Sequence, residues 1–342
     1  MIRRILMTGD TVGGVWTFTL ELAEALGAHG IEVVLAALGG PPSDAQRADA
    51  RRIPNLDLLA SDFKLEWMDD PWRDVEDSGR WLLDLEEQYA PDIVHLNSFG
   101  HGALPWSKPV VVTAHSCVLS WWQAVHNCAA PESWDRYRAA VTGTLQAADV
   151  VTAPSRAMAQ AVKDHYGIDG VLVIPNGRDS SRFHRAAKEP FVLTAGRLWD
   201  EAKNARAVAA AKIPWPVHLA GEGGTLGRLS SSDLAEWYSR ASIYALPARY
   251  EPFGLSALEA ALSGCALVLG DIPSLREIWG DAALYVTDDG SLESTLNSLI
   301  ADPEYLSLMG VAAWEHALQY TPRRMADGYL NAYLTRSLAC AS

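Results

Sequence analysis

Short, continuous runs of apolar residues recur along the chain and alternate with stretches where apolar residues fall three or four positions apart. The runs are brief and rich in Val, Ile and Leu, as buried parallel strands are. They cover residues 2–7, 31–37, 92–96, 110–114, 150–153, 171–174, 191–195, 217–220, 243–246 and 266–269. Helical stretches separate many of them, for example at 155–165, 233–241 and 255–263. This alternation predicts an α/β protein with doubly wound parallel sheets.

The length of 342 residues predicts about two domains. A segment rich in turn-forming residues, Ile174-Pro175-Asn176-Gly177, lies near the midpoint and predicts the linker between them. We therefore expect a first domain over 1–174 and a second over 175–320, each with a sheet of five or six strands. Ligands bind outside the carboxyl ends of the strands in such sheets, so the site is expected at those edges.

Composition and charge exclude or disfavour several classes of protein. Hydrophobic residues make up 49% of the chain, which excludes global disorder. The formal net charge is −14, with no basic stripe, which argues against a nucleic-acid partner. No apolar run is long enough to span a membrane. The four cysteines form no Cys-x-x-Cys pair, so we expect neither a disulfide framework nor a zinc site, and a cytoplasmic location fits best.

Three segments could carry chemistry. Gly13 and Gly14 follow the first predicted strand and precede a predicted helix, whose N-terminus would favour an anion. The alternative interpretation of these glycines is an ordinary tight turn. Arg197 and Lys203 follow another strand and could clamp a diphosphate, although two surface cations are the simpler interpretation.

The most specific segment contains Glu251 and, eight residues later, Glu259, around a helix predicted to begin near Gly254. The amides of Phe253, Gly254 and Leu255 would then be available to phosphate. A carboxylate within an apolar helix needs a partner, so a buried salt bridge is the alternative for Glu259.

This Glu-x7-Glu segment resembles the signature of retaining glycosyltransferase family 4, whose members have the GT-B fold. Further similarities follow in the same order along nearly the whole chain, at Gly13-Gly14, 112–115, 153–155, 174–177, 196–198 with Lys203, and 220–223. The resemblance implies two Rossmann-like domains facing across a cleft, the first binding the acceptor and the second the donor. It also implies that the tail, 321–342, packs back on the first domain.

The resemblance further implies a hexosyltransferase that takes a nucleoside-diphosphate sugar and needs no metal. Arg197 and Lys203 would neutralise the diphosphate, Glu251 would contact the sugar, Glu259 the ribose, and His115 the sugar near the reacting carbon. The catalytic residues implied are His115, Arg197, Lys203 and Glu251. The donor-binding residues implied are Gly13, Gly14, Asn176, Gly196, Arg197, Lys203, Leu229, Glu251, Pro252, Phe253, Gly254, Leu255 and Glu259.

The chain departs from the family pattern at two places. Asn204 follows Lys203 where a glycine is usual, and very little chain lies between Gly223 and Leu226, where a helix and a strand are common. The nucleotide-base pocket around Leu229 is therefore expected to be unusual. UDP-glucose is favoured as donor only because it is a common one.

The acceptor is expected to be a saccharide, in glycan or exopolysaccharide biosynthesis. Trp72, Trp121 and Trp122, together with Trp67, are candidates for stacking on it, with core packing as the alternative. A lipid-linked acceptor, with the enzyme peripheral to the inner face of the membrane, stays open.

Two other functions remain as alternatives. One is a non-catalytic sugar-nucleotide-binding relative or partner subunit. The other is an NAD-dependent Rossmann dehydrogenase, which would require a Gly-x-Gly-x-x-Gly motif that the chain lacks.

Overall fold

A computed structural model describes residues 2–337, and they fall into two compact units. The first unit comprises the chain up to Gln123, Cys128–Gly177 and the segment that begins at Pro322; the second comprises Ala124–Asn127 and Arg178–Thr321. The end of the predicted tail, 338–342, lies outside the described residues.

The first unit is built on a parallel sheet of seven strands in the order β3-β2-β1-β4-β5-β6-β7. The strands are β1 (Arg4–Asp10), β2 (Glu32–Leu38), β3 (Leu56–Ala60), β4 (Ile93–Leu96), β5 (Val110–Thr113), β6 (Val150–Ala153) and β7 (Leu172–Val173). Its helices are α1 (Gly14–Gly27), α2 (Asp44–Arg51), α3 (Trp72–Tyr89), α4 (Val118–His126), α5 (Asp135–Ala147), α6 (Arg156–Tyr166) and α13 (Pro322–Ser337). The strand order reverses between β1 and β4, which makes their carboxyl ends the expected ligand-binding edge.

A buried polar network fastens α13 to the first sheet. The hydroxyl of Tyr333 bonds His95 Nδ1 at 2.9 Å, and His95 Nε2 bonds Thr113 Oγ1 at 2.7 Å. The hydroxyl of Tyr329 lies 3.2 Å from the same Thr113 Oγ1. Because these groups are buried, each bond replaces one that water would otherwise provide, and the network gives α13 a single position on this unit.

The second unit has a parallel sheet of five strands in the order β12-β11-β10-β8-β9. The strands are β8 (Glu189–Ala195), β9 (Val217–Ala220), β10 (Ala241–Leu246), β11 (Ala266–Gly270) and β12 (Leu284–Val286). The helices are α7 (Ala205–Ala210), α8 (Ser231–Arg240), α9 (Leu255–Leu262), α10 (Pro273–Trp279), α11 (Asp289–Ala301) and α12 (Pro303–Ala317). Here the order reverses between β10 and β8.

One lysine caps two helices of the second unit. The Lys188 ammonium donates to the carbonyls of Tyr238 and Ser239 in the last turn of α8, at 3.2 and 2.9 Å. It also donates to the carbonyl of Ser263, just after α9, at 2.7 Å. Carbonyls at a helix C-terminus have no intrahelical donor and carry partial negative charge, so a cation there stabilises both ends.

The predicted strands are all present, but two strands were missed. These are β3 and β12, both at sheet edges and only partly buried; Asp57 interrupts the apolar residues of β3, and β12 has only three residues. The first sheet therefore has seven strands where five or six were expected.

The short segment after β9 turns back on that strand without a helix. Gly221 N–H donates to Gly227 O at 2.8 Å, and Leu226 N–H donates to Leu219 O at 3.0 Å.

Two further sequence expectations concern the membrane and the thiols. Over residues 2–337, no helix is both long and apolar enough to cross a bilayer. Cys117, Cys128 and Cys265 are free thiols, and Cys340 lies outside the described residues.

Candidate functional site

A largely buried ion pair in the second unit lies where its strand order reverses. Lys203 follows β8 and Glu251 follows β10, and the Lys203 ammonium forms an ion pair with Glu251 Oε2. Their side chains are only 17% and 13% exposed. Burying two charges costs solvation energy that the pair roughly returns, so the arrangement fixes positions more than it adds stability.

Backbone contacts hold these two loops together. Asp200 caps the short 3₁₀ turn Glu201–Lys203 by accepting from Ala202 N–H at 3.0 Å. Ala202 O in turn accepts from Arg249 N–H at 2.8 Å, which joins the loop after β8 to the loop after β10. Asn204 then takes the left-handed conformation at φ 51°. Asparagine is the side chain that best tolerates this region after glycine, so the departure from the family's usual glycine leaves the turn possible.

Arg197 begins the same loop but pairs differently. Its Nη2 lies 3.2 Å from Asp200 Oδ2, and its guanidinium lies 5.6 Å from the ring centre of the exposed Trp199. The two cations predicted to act together are therefore each matched to a separate carboxylate, Arg197 to Asp200 and Lys203 to Glu251. Asp200 was not identified from the sequence.

Glu251 is also fixed by the start of α9. Its Oε1 accepts from Gly254 N–H at 3.0 Å, and its backbone carbonyl accepts from Ser274 Oγ at 2.5 Å. Gly254 has φ 92°, a conformation that favours glycine. The Gly254 amide, which the sequence analysis assigned to phosphate, is thus already bonded to Glu251. Phe253 points into the core, while Pro252 and Leu255 are partly buried.

Glu259 lies on α9 and forms an ion pair that the sequence analysis held open as an alternative. Its Oε1 lies 3.0 Å from Arg178 Nε, with both side chains largely buried. The Arg178 guanidinium also packs 5.3 Å from the ring centre of Phe183. The ribose-binding role of Glu259 stays a prediction, and Arg178 is a partner that the sequence did not reveal.

Two tight turns follow β8 and β9. Gly196 directly follows β8 at φ 138°, and a Cβ added to Gly221 would lie 2.2 Å from Gly196 O. Only glycine allows the two turns to approach so closely. Leu229, predicted near the nucleotide base, packs partly buried against the hydrophobic core of this unit.

In the first unit the predicted glycine loop lies after β1. Gly13 precedes α1 in an extended conformation, and Gly14 is the first residue of that helix. No acidic residue occupies the first turn of α1, and in the loop before it Asp10 Oδ1 accepts from Val12 N–H at 2.6 Å. Asn176 is buried, and its Oδ1 has no hydrogen-bond partner among the described residues, so its contact with the donor stays a prediction.

His115 lies just after β5 and is held by the neighbouring strand. Its Nε2 lies 2.8 Å from Asn97 Oδ1, and its ring packs edge-on against Phe18 with centroids 4.5 Å apart. Loss of hydration lowers the pKa of His115 to about 3, so the imidazole is neutral at pH 7. Asn97 was missed, although a polar residue directly after a buried strand is the pattern that marks such edges.

Glu66 is a second residue that the sequence analysis did not select. It is 3% exposed, and its Oε1 accepts from Phe99 N–H at 3.0 Å. Burial, with a smaller contribution from nearby Asp10, raises the pKa of Glu66 to about 7. Near neutral pH this carboxyl is therefore protonated in about half of the molecules.

The candidate acceptor tryptophans are partly buried. Trp67, Trp72 and Trp122 pack against the core of the first unit, and the Arg136 guanidinium lies 4.4 Å from the ring centre of Trp72. Trp121 and Trp122 lie with ring centroids 5.9 Å apart. Trp72 is therefore a weaker stacking candidate than the sequence suggested, because Arg136 covers one face of its ring. Over residues 2–337, no group of three or more His, Cys, Asp or Glu side chains could hold a metal ion.

Comparison with known proteins places the chain among sugar-transferring enzymes. The model of Glycosyltransferase Family 4 matches residues 12–182, and the model of glycosyl transferases group 1 matches residues 218–315. A D-inositol 3-phosphate glycosyltransferase from Nocardia farcinica is 26% identical over 95% of this chain and 85% of its own length. A glycogen synthase from Mycobacterium tuberculosis is 28% identical over 65% of this chain, and the match spans only 63% of that relative.

Solved structures agree on the fold. Sucrose-phosphate synthase from Thermosynechococcus elongatus has a TM-score of 0.79 at 20% identity, with 99% of this chain and 100% of that chain covered. Anabaena HepE in complex with UDP-glucose has a TM-score of 0.77 at 16% identity, with 97% of this chain and 99% of that chain covered. These likenesses confirm the expected GT-B fold. With both halves matched by family models, the chain belongs to glycosyltransferase family 4.

Proposed function

We propose that this glycosyltransferase is a retaining hexosyltransferase that moves a hexose from a nucleoside-diphosphate sugar to a saccharide acceptor. The observation that carries the proposal is the buried Lys203–Glu251 ion pair at the strand-order reversal of the second unit. A lysine bound to a carboxylate at such an edge offers positive charge to a phosphate and acceptor oxygens to sugar hydroxyls.

The donor is proposed to bind the second unit. Lys203 and Arg197 would neutralise the diphosphate, Glu251 would accept hydrogen bonds from the sugar, and Glu259 would accept them from the ribose. UDP-glucose is the preferred donor, which is consistent with the HepE structure being a complex with that compound.

The reaction is proposed to proceed on one face of the sugar. The acceptor hydroxyl oxygen forms a bond to the anomeric carbon as the bond from that carbon to the diphosphate oxygen breaks. The electron pair leaves with the diphosphate, and the acceptor proton passes to a departing phosphate oxygen. Lys203 and Arg197 stabilise the charge that develops on the leaving group, which is the usual large electrostatic contribution to catalysis.

The acceptor is proposed to be a saccharide of a glycan or exopolysaccharide, bound by the first unit. His115 would contact the sugar close to the reacting carbon. The negative excess in residues 1–170 disfavours an acceptor presented on an anionic bilayer.

The stereochemistry of the product tests the proposal. With UDP-glucose and a saccharide acceptor, proton NMR early in the reaction should show a new α-linkage, matching the donor, and excess EDTA should leave the rate unchanged. A β-linked product would contradict the front-face mechanism, and loss of activity in EDTA would contradict metal independence. Nucleotide binding without any transfer, over a broad acceptor panel, would favour the non-catalytic alternative.

A further inference from the structure

The geometry around His115 fixes which of its nitrogens carries the proton. Asn97, 7% exposed and directly after β4, lies between β1 and β5. Its amide nitrogen Nδ2 lies 2.7 Å from the backbone carbonyl of Thr8 on β1. A carbonyl oxygen only accepts, so the amide group must face Thr8 with its nitrogen. Asn97 Oδ1 must then face His115.

A second bond holds the backbone of Asn97 in place. Its N–H donates to Thr8 Oγ1 at 2.8 Å, so Asn97 is oriented by two hydrogen bonds that it donates to Thr8 on β1. The side chain of Asn97 therefore has little freedom to turn its amide over.

An amide oxygen also only accepts, and it lies 2.8 Å from His115 Nε2. Two acceptors at that distance would repel, so Nε2 must carry a proton. With the imidazole neutral, Nδ1 holds a lone pair. Over residues 2–337, Asn97 is the one hydrogen-bond partner of this side chain, and Phe18 holds its ring plane.

We propose that Asn97 is a positioning residue that holds His115 in the Nε2–H form, so that Nδ1 accepts a hydrogen bond from a hydroxyl of the bound sugar. The inference rests on the proposed function for its substrate, but the state of the ring does not depend on it. In this form His115 offers a lone pair to a hydroxyl rather than a proton to a phosphate. The histidine thus selects a hydroxyl-bearing part of the substrate.

The wild-type protein allows a direct test. With ¹⁵N-labelled histidine, the resonances of His115, assigned by their loss in His115→Gln, should show a protonated Nε2 and a bare Nδ1 at pH 7. A protonated Nδ1 would overturn the proposal. This measurement needs neither substrate nor turnover, so it stands even if the proposed reaction is wrong.

Variants of Asn97 and its neighbour test whether Asn97 affects the reaction through His115. Asn97→Ala should give a mixture of the two ring forms and lower kcat/KM about tenfold or more, the loss that removal of an orienting partner causes at metal-binding histidines. Ser98→Ala is the matched control, because it removes a buried hydroxyl from the next position, one without a hydrogen-bond partner in the described chain. It should leave both readouts unchanged.

The outcomes separate the two proposals. Asn97→Ala with an unchanged ring form, or with a changed form and normal kcat/KM, would overturn the positioning role. A wild-type protein with the expected ring form but no transfer would instead count against the proposed function. If Asn97→Ala does not fold, the wild-type spectrum still decides the ring form.

Discussion

Lys203→Ala is expected to lower kcat/KM for glycosyl transfer at least about 100-fold, which is about 2.7 kcal/mol of transition-state stabilisation. The Lys203 ammonium forms an ion pair with Glu251 at the edge of the second sheet where we propose that the donor binds. Its removal takes away charge stabilisation of the departing diphosphate and leaves Glu251 without its ion-pair partner. Steady-state kinetics with saturating acceptor measures the effect.

Two further variants make this result interpretable. Glu251→Gln removes the other half of the pair and is expected to lose at least about 100-fold as well, the loss typical of one electrostatic contact in an active site. Lys212→Ala removes an exposed lysine from the same unit and should stay within about twofold of wild type, as surface changes do. Thermal melts of all three variants establish that they are folded at the assay temperature. Near-normal rates in both Lys203→Ala and Glu251→Gln would contradict the assigned site.

Acid is expected to destabilise the protein well above the range where most carboxylates titrate. Burial lowers the pKa of His95 to about 3, of His101 to about 4 and of His115 to about 3. Below pH 6.5 the unfolded chain binds protons at these positions that the folded chain does not bind. Stability therefore falls as the pH drops from 6.5 towards the folded pKa values.

Glu66 has the opposite effect on the pH dependence of stability. Its folded pKa of about 7 exceeds the ordinary value of 4.5, so between these values the folded chain binds a proton that the unfolded chain does not. Stability from this group rises as the pH falls. The three histidines outweigh it, and the net loss between pH 6.5 and 5.0 is about 3 kcal/mol.

Urea unfolding at the two pH values measures this difference, and Glu66→Gln provides the control. The glutamine amide is neutral at every pH, so it removes the opposing proton and should increase the loss to about 5 kcal/mol. Equal stability at both pH values, or a smaller loss in Glu66→Gln, would contradict the buried neutral state of these groups.

Much of the fold could be predicted because buried strands are marked by short, continuous runs of apolar residues. All ten predicted strands are present, and α9 begins at Leu255 as expected after Gly254. The edge strands β3 and β12 were not predicted, since Asp57 interrupts the apolar residues of β3 and β12 is only three residues long.

Individual residues of the candidate site could be predicted from the sequence, but the contacts between them could not. Glu251 and Lys203 each follow a predicted strand, but nothing local shows that residues 48 positions apart form an ion pair. The Arg178–Glu259 pair and the Thr8–Asn97–His115 contacts likewise join distant segments. Such contacts follow from strand order, which a single sequence does not determine.

Thermal unfolding of the wild type and of Lys203→Ala, with UDP, GDP, ADP or NAD at millimolar concentration, tests the central claim most directly. A ligand at 100 times its dissociation constant stabilises the folded state by about 2.7 kcal/mol. We expect one nucleoside diphosphate, UDP by preference, to raise the Tm of the wild type by several degrees and that of Lys203→Ala by much less. A shift with NAD alone, or equal shifts in both proteins, would contradict a nucleoside-diphosphate site built on Lys203.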